Sequence, residues 1–229
     1  TLSDTPIAEQ IICAVDLGIN TDAVCSIMKA DGTILARKFI DFTSDKDRMI
    51  HAMNRTRRKQ SKYGPKSTRG LWAYVKRLNE DRAKKISAAI VEFASQHSVD
   101  AIVMEHLDFK GCKKRGSKAQ RLSMWNHGII REKVEQKAHL LGIRIATICA
   151  WKTSALAFDG SGSVTRDDNN HALATFTTGK QYNCDLSASY NIGARYFIRE
   201  LIKSLPATEE SRVKAKVPDA GRRTSCTLS

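Results

Sequence analysis

The chain has 229 residues, of which 41% are hydrophobic, so it can form one large domain with a substantial core. Its 38 lysines and arginines exceed its 24 acidic residues, and the net charge of +14 favours nucleic acid as the partner. No apolar run approaches the roughly 18 residues of a membrane span and no secretory signal is present, so we predict a cytoplasmic, reduced protein without a membrane partner. The six cysteines include no C-x-x-C pair, so a zinc site of the usual spacing is not predicted.

Three consecutive strands are predicted at the start of the chain, because residues 9–17, 22–29 and 33–41 are apolar runs with strand character. Between the second and third strands, Ala30-Asp31-Gly32 predicts a hairpin, since Asp and Gly tolerate the positive φ of tight turns.

The next segment is basic and helical. Helices are predicted over 46–59 and 71–97, with a basic loop containing Gly-Pro over 60–69 between them. From Lys46 to Lys85 there are 14 basic and 3 acidic residues, a balance of +11. Such a segment is either a solvated helix face or a surface that follows nucleic-acid phosphates.

The second half of the chain alternates strands and helices around one polar insertion. The predicted elements are a strand at 99–104, a basic loop at 110–121, a helix at 123–141 that ends at Gly142, a strand at 143–149, an irregular segment at 152–183, a helix at 186–205 and a flexible basic tail. A meander of three strands followed by strand–helix–strand units predicts a mixed sheet covered by helices.

Three acidic residues lie where predicted strands or helices reach an edge. Asp16 ends an apolar strand, Glu105 ends another, and Asp185 opens the last helix. Taken singly, they could be a turn residue, a surface ion pair, and an N-cap or first-turn acid. Together, in a basic chain, they predict a site that cleaves a polyanion with metal ions, because phosphodiester hydrolysis by divalent ions needs only a few carboxylates.

The segments around these acids resemble known nuclease motifs. The segment AVDLGIN at 14–20 resembles the first RuvC motif, IVMEHL at 102–107 the second, and DLSASYNIGAR at 185–195 the third. With a long basic insertion between the first two motifs, this pattern is similar to the TnpB family of transposon-encoded, RNA-guided DNA endonucleases, which is related to type V CRISPR effectors. The resemblance covers about residues 9–205.

The resemblance implies an α/β fold, an RNase H-like (RuvC) mixed sheet flanked by helices. It divides the chain into RuvC-like parts at 1–45, 98–151 and 184–205, a basic helical insertion at 46–97, a degenerate zinc-ribbon-like or lid insertion at 152–183, and a flexible basic tail at 206–229. Many relatives carry two C-x-x-C pairs in the later insertion, and this chain lacks both, so no zinc is predicted.

The resemblance also implies an activity. Asp16, Glu105 and Asp185 would bind two Mg²⁺ ions, for which Mn²⁺ can substitute, and hydrolyse DNA. Guide RNA and target DNA are the implied partners, with the basic insertion along their heteroduplex. An N-terminal recognition region or another polypeptide is a further implied partner, and the implied localisation is cytoplasmic and nucleoid-associated in a prokaryote.

Other residues have secondary roles in this interpretation. Asn191 either supports the metal site or caps within its helix, and Arg166 either contacts phosphate or is solvated. The basic residues expected to contact nucleic acid are Arg55, Arg57, Arg58, Lys59, Lys62 and Arg69 in the first basic segment, Lys113, Lys114 and Arg115 in the second, and Arg195 in the last helix.

Two alternative functions remain open at this point. A RuvC-like module could bind nucleic acid without cutting, although retention of all three carboxylates argues against it. An actin- or sugar-kinase-like ATPase has a phosphate loop that the segment at 16–20 also resembles, but a second Gly-rich phosphate hairpin and a Gly-rich adenosine motif are absent from the sequence.

Overall fold

The computed structural model describes residues 5–107, 125–167, 170 and 172–216. Its main sheet has five strands in the order β3-β2-β1-β4-β5. The strands are β1 (Ile11–Asp16), β2 (Ala23–Lys29), β3 (Ile34–Ile40), β4 (Ala101–His106) and β5 (Arg144–Cys149). The first three pair antiparallel, whereas β4 and β5 run parallel to β1, so the predicted mixed sheet is confirmed.

Helices cover both faces of the sheet. They are α1 (Thr43–Tyr63), α2 (Arg69–Gln96), α3 (His127–Leu140), α4 (Cys184–Ser204) and α5 (Ala207–Lys216). Helices α2 and α3 pack on one face and α4 on the other, which leaves β1 in the centre. The apolar run of β1 is continuous because both of its faces are buried. Among the helices that the structure describes, none combines the length and apolarity needed to cross a bilayer.

The predicted turns are confirmed at two glycines. Gly32 has a φ of +87° in the β2–β3 hairpin and donates its N–H to the Lys29 carbonyl at 3.0 Å. Gly142, with a φ of +72°, follows the end of α3, as expected of a residue that stops a helix.

The predicted loop at 60–69 is wrong in extent. Helix α1 continues to Tyr63, and the break is confined to Gly64, Pro65 and the short 3₁₀ helix Lys66–Thr68 before α2 begins. Gly64 has a φ of +81°, so the chain leaves the helix there and not earlier. Helices α1 and α2 therefore form one helical hairpin, residues 43–96, called the basic hairpin below.

The prediction that the segment at 152–183 is irregular throughout is wrong. It contains a three-stranded antiparallel sheet made of β6 (Thr165–Arg166), β7 (Leu173–Thr175) and β8 (Gln181–Asn183). Strands of two or three residues are too short to produce a recognisable alternation of polar and apolar residues.

The predicted flexible tail begins instead with α5. Glu209 and Glu210 lie in the first turn of this helix, where their negative charges interact favourably with the helix dipole. Lys214, one turn later, forms an ion pair with Glu210. The tail beyond residue 216 and the predicted second basic loop at 110–121, with Lys113, Lys114 and Arg115, lie outside the described residues.

Helix α4 approaches the sheet closely at Gly193. A Cβ at this position would collide with the Met28 sulfur and lie 3.2 Å from the Ala14 Cβ. The close approach places the middle of α4 against β1 and β2, on the side of the sheet where the candidate site lies.

The Gly193→Ala substitution is expected to lower the free energy of unfolding by about 1–3 kcal/mol, because the added methyl group overpacks this contact. Urea unfolding followed by circular dichroism measures the change. The control is Gly70→Ala in α2, where the added Cβ meets open space and alanine favours the helix. Equal midpoints for the two variants would contradict the prediction.

Candidate active site and nucleic-acid interface

The carboxyl ends of two adjacent parallel strands carry Asp16 and Glu105. Strands β1 and β4 pair through Val15 and Met104, and each acid is the next residue along its strand. Since successive side chains of a strand face opposite sides, Asp16 shares the side of Ala14, which α4 covers. The two acids therefore lie at one edge of the sheet, beneath α4.

Asp185 lies in the first turn of α4. The N-cap of this helix is Asn183, whose side chain accepts a hydrogen bond from the Leu186 N–H at 2.9 Å. The N-cap explanation of Asp185 is therefore wrong, because Asn183 occupies that position. Helix α4 packs on β1, and the charge of Asp185 acts on the carboxyl of Asp16 at the end of that strand.

The three acids form one electrostatic cluster, called the carboxylate cluster below. Burial raises the pKa of Asp16 well above its usual value, and the charges of Glu105 and Asp185 raise it further, whereas Arg166 lowers it. Like charges act in this way only at short range. Each acid keeps part of its surface exposed, so the cluster remains open to solvent.

Glu105 has an unusual environment for a carboxylate. Burial raises its pKa, while a hydrogen bond with Thr153 and the charge of Arg195 oppose the shift. Its Oε1 is buried and has no hydrogen-bond partner among the described residues. An unsatisfied buried acceptor costs about 1–3 kcal/mol, so a cation at this oxygen would be strongly favourable.

The oxygen atoms of the carboxylate cluster are the ligand type that a hard divalent cation prefers. Mg²⁺ prefers oxygen ligands and is held by one or two carboxylates while it keeps several waters. Within the described ranges, no group of three or more His, Cys, Asp or Glu side chains is arranged to hold a metal ion. The residues therefore fit a divalent cation in ligand type, and their side chains would have to draw closer to surround one.

Asn191 supports the site through the polypeptide backbone. Its Nδ2 donates to the carbonyls of Thr153 at 2.8 Å and Leu156 at 2.7 Å. This holds the segment from which Thr153 reaches Glu105. Asn191 therefore positions a neighbour of the carboxylate cluster and does not serve as a cap within its own helix.

The position of Arg195 does not fit the predicted contact with nucleic acid. Its side chain is 4% exposed, and Nη1 donates to the Cys149 carbonyl at 2.9 Å. A guanidinium buried in this way is withheld from a strand bound at the surface. Its charge acts instead on Glu105.

An aromatic cluster fastens the three-stranded sheet to α4. The Phe158 ring lies 5.0 Å from Tyr182, 5.1 Å from Tyr190 and 5.4 Å from Phe176, all in edge-to-face geometry. Lys180 adds a cation–π contact 5.0 Å from the Phe158 ring centre. Pairs of this kind contribute about 0.5–1.5 kcal/mol each beyond their buried area, so side chains can hold this insertion in place.

The six predicted nucleic-acid contacts in the described part of the basic hairpin are all exposed. Only Met49 and Thr56 of α1 are buried, so most of this helix faces solvent. None of the six forms an ion pair among the described residues, and they remain available to phosphates. They are Arg55, Arg57, Arg58, Lys59 and Lys62 on α1 and Arg69 on α2.

Aromatic side chains lie among these bases. Tyr63 is 60% exposed, and Trp72 donates its indole N–H to Gln60 at 2.7 Å beside an open cleft of about 500 Å³ that Arg57 also lines. Exposed rings beside cations can stack on bases or ribose.

Sequence reasoning missed the buried pair of Asp22 and Arg82. Asp22 is 1% exposed and Arg82 5% exposed, and their side chains are joined across 60 positions of sequence. Neither residue lies in a motif, and Arg82 is one of many bases in its helix. Only the tertiary structure brings them together.

Comparison with known proteins places the fold. No protein-family model matches the chain, and no curated protein matches it. A cryo-EM structure of a Cas12f1–sgRNA–target DNA complex matches with a TM-score of 0.60 and 19% identity, over 83% of this chain and 51% of that chain. A crystal structure of an AacC2c1–sgRNA binary complex matches with a TM-score of 0.59 and 10% identity, over 82% and 39%.

A structure of the mini-RNA-guided endonuclease CRISPR-Cas_phi3 matches with a TM-score of 0.50 and 12% identity, over 80% of this chain and 44% of that chain. The chain thus spans about half the length of the Cas12f1 chain and less of the other two. At such identities the likeness establishes the fold alone. The RNase H-like (RuvC) fold class that the three motifs imply is confirmed, as a mixed five-stranded sheet flanked by helices.

Proposed function

We propose that the chain is the nuclease part of an RNA-guided DNA endonuclease similar to TnpB, which hydrolyses phosphodiester bonds at Asp16, Glu105 and Asp185. The observation that carries this proposal is the carboxylate cluster: Asp16 and Glu105 end adjacent parallel strands, Asp185 lies in the first turn of the helix that covers them, and burial and then the neighbouring acids raise the pKa of Asp16. Burial and mutual repulsion of carboxylates oppose folding at neutral pH, and groups perturbed in this way concentrate at functional sites.

The three carboxylates would hold divalent cations, Mg²⁺ or Mn²⁺ in its place. Two such ions supply charge neutralisation at the attacking and leaving oxygens and activate water. The free Oε1 of Glu105 would be a ligand, and Thr153 and Arg195 beside this residue favour its charged, metal-binding form. Arg166 is exposed, acts on Asp16 and donates to the Ser154 carbonyl at 3.3 Å, so it can contact a phosphate of the bound strand.

Guide RNA and target DNA are the proposed partners. The exposed bases and rings of the basic hairpin support this proposal, since phosphate contacts and stacking are the two sequence-independent means of holding nucleic acid. Base recognition would come from RNA pairing, which this chain need not encode.

Cleavage of labelled single-stranded DNA tests the proposal. Wild-type protein should cut in Mg²⁺ and not in excess EDTA, and Asp16→Ala should bind DNA without cutting it. The matched control is Asp31→Ala, which removes an exposed aspartate from the β2–β3 turn and should keep the wild-type rate. Equal cutting by the wild type and Asp16→Ala would refute the site, whereas binding without cutting by the wild type would favour the non-cleaving module.

A further inference from the structure

A buried ion pair joins the loop after Asp16 to the basic hairpin. Asp22 ends the β1–β2 loop, residues 17–22, and Arg82 lies midway along α2. Arg82 Nη2 donates to Asp22 Oδ1, and the backbone N–H of Phe42, which precedes α1, donates to Asp22 Oδ2 at 2.9 Å. One carboxylate therefore ties the loop to the start of α1 and to the middle of α2.

The β1–β2 loop is short and tightly folded. A Cβ at Gly18 would lie 2.5 Å from the Thr21 carbonyl oxygen, so the chain folds back on itself within this short stretch. Asp16 stands at one end of the loop and Asp22 at the other. We therefore expect a shift of Asp22 to move Asp16, because only this short, folded-back segment separates them.

The ion pair is poorly suited to stability alone. Desolvation offsets much of the Coulomb gain of a buried pair, and apolar side chains of similar volume are often as stable. Arg82 Nε is also buried without a hydrogen-bond partner among the described residues. What the pair supplies is a defined geometry, since one oxygen of Asp22 accepts from Arg82 of α2 and the other from Phe42, the residue before α1.

We propose that Asp22 and Arg82 are positioning residues that couple nucleic-acid binding on the basic hairpin to the placement of Asp16. Nucleic acid held along the hairpin restrains α1 and α2. Helix α2 acts on the β1–β2 loop through the Asp22 carboxylate, and α1 adds a second link, since Lys46 Nζ donates to the Asn20 carbonyl in the same loop. The inference rests on the proposed function for the role of Asp16, whereas the coupling itself is a property of binding. Couplings of this kind typically amount to about 5-fold to 150-fold.

Hydrogen exchange of the 229-residue chain tests the coupling directly. The probe is an RNA–DNA hybrid of about 20 base pairs, the length of a guide–target duplex. Saturating hybrid should slow exchange of the amides at 17–22 in the wild type by about 5-fold or more. The double variant Asp22→Asn/Arg82→Gln removes both buried charges together, which avoids leaving one charge unpaired. It should bind the hybrid with similar affinity and lose that protection.

Two further variants separate coupling from general stability. Arg82→Lys retains the charge and should keep part of the protection. Lys214→Gln is the control outside the basic hairpin, since it removes an exposed ion pair with Glu210 within α5 and should leave the protection intact. Single-turnover cleavage at saturating DNA should fall in the double variant and not in Lys214→Gln.

The outcomes discriminate between the two proposals. Equal protection in the wild type and the double variant, or no protection or no hybrid binding in the wild type, would overturn the coupling. Protection that depends on the ion pair in a protein that never cuts DNA would support the coupling and refute the proposed nuclease function.

Discussion

Replacement of Asp16 with asparagine is expected to stabilise the metal-free protein at neutral pH and to lower the cleavage rate by about 100-fold or more. A loss of this size is typical when one preorganised group that stabilises charge in the transition state is removed. The two effects have one cause. The folded protein disfavours the charged form of Asp16 because of burial and the neighbouring acids, and asparagine has no charge to disfavour.

The pH dependence follows from the direction of this shift. The folded-state pKa of Asp16 lies above the unfolded value of about 3.9, so the folded state binds its proton more tightly. The contribution of Asp16 to stability is therefore greatest below the unfolded pKa, and it is lost as the pH rises through the folded pKa. Wild type and Asp16→Asn should melt at more similar temperatures near pH 4 than at pH 7.

Thermal unfolding in EDTA between pH 4 and pH 8 measures this difference, and added Mg²⁺ should raise the melting temperature of the wild type only. The control is Asp31→Asn, since Asp31 is exposed and hydrogen bonds from Thr33 lower the pKa of its carboxyl. This substitution should not raise the melting temperature at pH 7. A lower melting temperature for Asp16→Asn than for the wild type would contradict the prediction.

Neutralisation of three exposed bases on α1 is expected to weaken binding of an RNA–DNA hybrid on the order of 100-fold at low salt. It should also reduce the slope of log affinity against log salt by about 0.9 for each phosphate that the protein no longer neutralises. The variant replaces Arg57, Arg58 and Lys62 with glutamine. Each of these side chains is exposed, and with fewer cations on the hairpin, fewer counterions leave the nucleic acid on binding.

Fluorescence anisotropy titrations at several salt concentrations measure both quantities. The control replaces Lys203, Arg212 and Lys214, which are equally exposed but lie on α4 and α5, and it changes the net charge by the same amount. This control should retain most of the affinity. An equal loss of affinity in both variants would show that net charge, and not the basic hairpin, governs binding.

Strand ends and helix spacing carried most of the correct fold prediction. The continuous apolar runs before Asp16 and Glu105 predicted central strands, and the structure pairs them in parallel. The prediction failed where local signals were weak or ambiguous. Glycine and proline marked a turn correctly at Gly64, but the basic residues around it were helical.

Of the candidate site, only the three acidic residues could be predicted from the sequence. Their position at strand and helix ends is a local property, and the motif resemblance identified all three. Their catalytic and metal-binding roles stay predictions. The contacts of Asn191 with the Thr153 and Leu156 carbonyls were not predictable, because they join positions 38 and 35 residues apart.

By itself, the sequence determined that the chain is basic, that apolar strands end in acids, and that a helix begins with a third acid. These properties depend on residues that are close in sequence, so the alternation of side chains in strands and their spacing in helices reveal them. Only the tertiary structure decided which groups are buried together: the carboxylate cluster, the buried Arg195 and the pair of Asp22 and Arg82. Burial and contact between distant segments set electrostatics and hydrogen bonding, because both depend on the surroundings that folding creates and not on the residues next in sequence.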